Sequence, residues 1–230
     1  FRPAVHDSDG LAIWNGGGEH IWRPLHNPRL LQVSSFADSG PRGFGLIQRE
    51  KRYAEYEDLE ALYHRRPSLW VEPIGDWGKG HVVLVEIPNP EEIHDNIVAF
   101  WRPETPLAAG SETSFTYRLT WGWDAPPGER LLRVSRTLAG AGGQDAWRRF
   151  VVDFSEPSAA VGAPASDFTV NIQTSVGVIQ NVVVMDNPEI GGVRVAFELD
   201  TQGNEIADLR MDLLRGGQPA GEVWVYRWTE

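Results

Sequence analysis

Between positions 63 and 101 the sequence gathers Trp70, Trp77 and Trp101, the cations Arg65, Arg66 and Lys79, and the carboxylates Asp76 and Asp95. Aromatic rings stack on the apolar C–H faces of sugars, cations and carboxylates hydrogen-bond the surrounding hydroxyls, and a carboxylic acid can protonate a glycosidic oxygen. Taken singly, each tryptophan reads as sandwich core and each charge as a solvated face. Taken together, the cluster reads as a carbohydrate site.

Three further groupings carry candidate chemistry. In His6-Asp7-Ser8-Asp9-Gly10 the alternating carboxylates suit a calcium ion, a catalytic aspartate, or an Asx-turn that occupies one aspartate and leaves the other free. The glutamate that closes an EF-hand loop is missing, which favours the turn and then catalysis. Glu91-Glu92-Ile93-His94-Asp95-Asn96 precedes the apolar run 97–101. A carboxylate beside tryptophans at a strand start is expected to be poorly solvated, which raises its pKa as a general acid requires. Exposed acids in a strand-start turn are the competing reading. Third, Tyr53, Tyr56 and Tyr63 approach Arg65 and Arg66. Tyrosines at helical spacing are ordinarily packing residues, but Tyr63 abuts the arginines and the break at Pro67. Serine-hydrolase elbows, phosphate loops, dinucleotide fingerprints and HExxH motifs are absent, and the six histidines show no ligand spacing.

The elements that must position these residues are mostly strands. Segments 11–14 and 20–22 flank Asn15-Gly16-Gly17-Gly18, a hairpin turn. Further strands are expected at 30–36, 43–49, 69–72, 81–87, 96–101 and 113–121. The run 82–87 is apolar except for Glu86, which suits a strand covered on both faces. One helix is expected at 56–63, ended by Pro67. Beyond Asp124-Ala125-Pro126-Pro127-Gly128, a linker, strands are expected at 131–137, 148–154, 168–174, 180–185, 192–199, 209–214 and 222–228. Seven short strands in about a hundred residues is an immunoglobulin-like pattern. The expected domains are therefore 1–123 and 131–230, with a linker over 124–130.

A net charge of −11 argues against nucleic acid and anionic lipid as partners, whereas a neutral polysaccharide imposes no such demand. Ten tryptophans favour carbohydrate. With no cysteine there is no disulfide, thiol nucleophile or Cys-zinc site. No apolar run approaches the roughly 18 residues of a membrane span. Phe1-Arg2-Pro3 already reads as domain interior, so the chain is expected to begin partway through a longer protein.

VHDSDGL, IWRPLHNP, VSSF, GFGLIQRE, RPSLWVEP, GDWGKGHVVLVEIP and HDNIVAFW, in this order, resemble blocks of the periplasmic glucan biosynthesis proteins G and D. The similarity is specific over 1–121 and weaker through FVVDF and the closing strands. It implies an all-β protein: a large β-sandwich of the galactose-mutarotase type, its upstream half missing here, followed by a small immunoglobulin-like sandwich. The implied activity is endo-acting, anomer-inverting hydrolysis of linear β-1,2-glucan in the periplasm, with no cofactor and no metal. By motif matching, the resemblance makes Asp95 the general acid, Asp7 the general base and Tyr63 a proton relay. Arg66, Glu92, Trp70, Trp77, Lys79 and Asp9 become candidates for holding sugars. The implied partners are β-1,2-glucan and the upstream half of the same protein. A homodimer stays open, as do an inverting transglycosylase and a non-catalytic glucan-binding assembly factor.

Overall fold

The structure, a computed structural model, describes residues 9–89, 95–123, 131–155 and 163–230. The chain is all-β and divides into two compact units, Phe1–Pro127 and Gly128–Glu230.

In the first unit, β1 (Gly10–Trp14) and β2 (His20–Pro24) form the hairpin that the glycine-rich turn dictates, with Gly18 at a φ of 93° closing it. β4 (Gly43–Ile47) pairs antiparallel with β1, β5 (Ser68–Ile74) with β4, and β8 (Thr116–Gly122) with β5. The sheet therefore runs β2-β1-β4-β5-β8. A second sheet has β6 (Lys79–Glu86) between β3 (Gln32–Ser39) and β7 (Ile97–Pro103). In β6, Val82, Val83 and Leu84 are all buried, as a strand covered on both faces requires. Its one carboxylate, Glu86, is buried too, 2.8 Å from the guanidinium of Arg23 on β2. That ion pair joins the two sheets.

The helix expected at 56–63 does not form. α1 (Tyr53–Tyr56) is a single turn, and Tyr63–Arg65 makes a separate 3-10 turn. Glu57 and Leu62 adopt left-handed backbone, with φ of 51° and 54°, and the Asp58 carboxylate accepts from the amides of Glu60 and Ala61. An aspartate that bonds nearby amides offers the chain an alternative to the helical ladder. The segment stops before Pro67, where Arg66 is extended.

The second unit packs a four-stranded sheet with a three-stranded one. The first is β12-β13-β10-β9, formed by β9 (Arg133–Ala141), β10 (Trp147–Ser155), β12 (Val178–Asn187) and β13 (Gly192–Asp200). The second is β11-β14-β16, formed by β11 (Phe168–Thr174), β14 (Ile206–Arg215) and β16 (Val223–Thr229), with the two-residue β15 (Gln218–Pro219) on β14. Between them Phe150 stacks on Phe197 and Trp224 on Tyr226, so aromatic stacking fills the core that a disulfide would otherwise brace.

Candidate functional site

Strand register sorts the candidate residues of the first unit into two ends. Gly10 lies opposite Pro24 and Ile47, and the amide of Gln48 bonds Ser68 at the start of β5. Glu86 lies opposite Ile97, two residues after Asp95. The Arg23–Glu86 pair ties these points together, and Glu86 also accepts from the His26 amide at 3.2 Å. Asp9, the 48–66 segment with Tyr63 and Arg66, and Asp95 therefore lie at one end of the unit. Asp7 and Glu92 lie outside the described residues.

Asp9 is engaged by protein. Its Oδ2 accepts from the amides of Arg49 and Glu50, and its Oδ1 faces the Tyr56 hydroxyl at 3.3 Å. Burial outweighs these hydrogen bonds and holds the carboxyl above its ordinary value. The expected turn would have used neighbours in sequence. Instead, Asp9 caps amides forty residues away and has little left for a sugar. Tyr56 is fully buried, and burial together with the Asp9 charge pushes its phenol far up, so it stays protonated.

Tyr63 is half-buried. Its ring lies 6.0 Å from that of Tyr56, the exposed Arg66 guanidinium stands 5.8 Å from its centroid, and its carbonyl accepts from Gln48. Next to Gln48 in sequence, Arg49 sets its guanidinium 3.4 Å over the buried ring of Trp22, a tight cation–π contact. Gln48, Arg49 and Trp22 stand in none of the candidate groupings, whereas Tyr56, one of the grouped tyrosines, is the packing residue that helical spacing suggests. The available signal was the polar run Gln48-Arg49-Glu50 immediately after an apolar strand.

Asp95 stands exposed just before β7, which is at the edge of its sheet among the described residues, so the poor solvation expected of it is not found. Trp70 is only 7% exposed, with its ring against Gly43, and serves the core rather than presenting a face for stacking. Trp77 and Lys79 fall at the other end of the unit. The eight-residue β6 runs from Lys79 to Glu86, roughly 23 Å at 3.3 Å per residue. There the half-exposed Trp77 contacts Trp101, Phe115 and Tyr117, and its Nε1 donates to the Thr116 carbonyl at 3.1 Å. A shallow groove of about 410 Å³ at this far end is lined by Asp38, Ser39, Lys79, His81 and Glu104, among others.

Residues 1–228 match the family described as "Periplasmic glucan biosynthesis protein, MdoG". The chain belongs to the MdoG family. This MdoG-family chain is 51% identical over 232 residues to a protein of Shewanella sp. (strain W3-18-1) named "Glucans biosynthesis protein G", and 52% identical over 233 residues to one of the same name from Vibrio cholerae O395. Both alignments cover all of this chain and 42% of the relative, so the chain spans about two fifths of the length of these proteins. Among solved structures, the collagen adhesin of S. aureus aligns over 96% of this chain and 80% of its own, with a TM-score of 0.19 and 5% identity. That likeness is too slight to bear on the fold.

Proposed function

We propose that the chain forms part of a periplasmic, endo-acting, anomer-inverting β-1,2-glucanase that works on linear β-1,2-glucan. The observation that supports this reading, beside the family, is that Tyr63, Arg66 and Asp95 lie at the same end of the first unit. In this reading Asp95 protonates the leaving oxygen, Asp7 takes the proton of the attacking water, and Tyr63 relays between base and water. An inverting pair ordinarily stands roughly 6.5–9.5 Å apart with the water between, and a relay through tyrosine allows a wider gap. Arg66 and Glu92 hold sugars near the cleavage point, and Trp77 and Lys79 touch the glucan farther along its chain. The relatives carry more chain than this one spans. Val98 and Phe100 on β7, and Tyr117, Leu119 and Trp121 on β8, expose apolar surface that such a segment would cover. The upstream half of the protein is thus read as a partner that completes the cleft.

The exposure of Asp95 favours one competing reading, a glucan-binding assembly factor that needs no buried acid. Incubating the full-length protein with linear β-1,2-glucan and following chain length separates the readings. Shortening is expected; unchanged polymer indicates a binder, and re-linked or cyclised product a transglycosylase. Asp95→Asn and Asp7→Asn should each lose roughly 10²–10⁴-fold in rate. A glucan with an activated leaving group should restore Asp95→Asn alone, because it needs no protonation. Equal rescue of both variants would overturn the roles.

A further inference from the structure

We propose that Tyr56, Gln48 and Asp9 form a positioning network that holds the segment carrying Tyr63 at the site. The inference rests on the catalytic reading of Tyr63 given above. A one-turn helix has no stability of its own, and α1 has no side-chain cap. The 3-10 turn of Tyr63–Arg65 is likewise uncapped. What fixes them is a chain of side-chain bonds. The buried Gln48 Nε2 shares its two hydrogens among three acceptors, the carbonyls of Glu50 at 2.9 Å and Tyr63 at 3.3 Å and the Tyr56 hydroxyl. That hydroxyl donates towards Asp9 Oδ1 at 3.3 Å, with the Glu50 carbonyl 3.4 Å away. Asp9 in turn holds the amides of Arg49 and Glu50. The network thus joins the start of β1, the polar run after β4 and the segment between α1 and β5.

Two details show that the network is specified. Gln48 Oε1 is buried without a hydrogen-bond partner among the described residues. Turning the amide over would not help, because it would set that oxygen against the two carbonyls, so the donor edge must face them. The amide is kept for what its nitrogen holds. In addition, Tyr56 cannot ionise under ordinary conditions and remains a donor to Asp9.

Tyr63 is read as catalytic, whereas Tyr56, Gln48 and Asp9 are engaged by protein groups, so a positioning role predicts a particular signature. In the full-length protein, Tyr56→Phe keeps the ring packing and removes only the hydroxyl. Amide hydrogen exchange should quicken over residues 58–68, including the Arg65 and Arg66 amides that bond Leu62 and Tyr63, while β6 and the second unit stay protected. On β-1,2-glucan, kcat should fall roughly 10–100-fold with KM nearly unchanged, the consequence of a slight misplacement of a reacting group. Gln48→Met cuts the tie to the Tyr63 carbonyl by another route and should give the same local pattern. Wild-type exchange over 58–68 in both variants overturns the proposal. So does protection lost uniformly across the first unit, or a raised KM with kcat intact. If the wild-type protein leaves the glucan uncut, the catalytic reading falls, and the exchange measurement still decides whether the network holds this segment.

Discussion

At the scale of single residues, the first unit places carboxylates where burial and hydrogen bonding oppose each other. Glu86 resolves that conflict with a partner: a guanidinium 2.8 Å away, both side chains at 2% exposure or less. Asp9 resolves it with amides and a phenol, and burial still holds its proton more tightly than in the unfolded chain. The sign of the resulting pH dependence follows from linkage. A carboxyl whose folded pKa lies above its unfolded value near 3.8 binds more protons when native, so stability falls as pH rises. Its contribution is complete below the unfolded value and is lost as pH passes through the raised one. Urea unfolding of the first unit, compared at intervals from pH 4 to pH 7, should show a downward slope that Asp9→Asn flattens. An unchanged slope in that variant would assign the dependence to other groups.

At the scale of elements, glycines set how closely the strands pack. A Cβ at Gly43 would come within 2.2 Å of the Trp70 ring, whose face lies on β4. Gly43→Ala must therefore displace a buried indole, at a cost of about 1–3 kcal/mol by the usual penalty for overpacking. The urea midpoint should fall accordingly, and a midpoint equal to wild type would mean the ring moves freely. The strands themselves were legible. Alternation and turn residues located β1 to β8 to within a few residues, because a half-buried strand writes its period directly into the sequence. The 56–63 segment was not legible, because its spacing suits a helix while Asp58 and two left-handed residues break it. Trp70 and Trp77 look alike in sequence. Only the pairing of β4 with β5, and the glycine opposite, sends one into the core and leaves the other half-exposed. The capture of Asp9 by amides forty residues away was equally out of reach, since no local spacing encodes it.

At the scale of the whole molecule, the two units differ in what their carboxylates are free to do. In the second unit Asp153 is 3% exposed and accepts from Nε and Nη2 of Arg194, at 2.7 and 2.8 Å, and from the side-chain amide of Asn187 at 3.2 Å. Asp208 is bonded twice by Arg227, and Asp186 accepts from the Ala165 amide at 2.7 Å. A carboxylate held by an arginine, as Asp153 and Asp208 are, is poorly placed to activate water or to protonate a leaving group, and Asp186 lies exposed with one oxygen on a backbone amide. Alanine at any of the three should therefore leave glucan cleavage per folded molecule unchanged in the full-length protein. The effect should appear in stability instead, and most at Asp153. Removing it strands an arginine on the sheet face, but Arg194 is about a third exposed, so water recovers part of the loss. A cost of about 1–3 kcal/mol is expected, below the figure for breaking a fully buried pair. Denaturant unfolding measures that cost, and cleavage assayed on the folded fraction measures the rest. Loss of cleavage with the fold intact would place part of the active site in the second unit and undo the assignment of catalysis to the first.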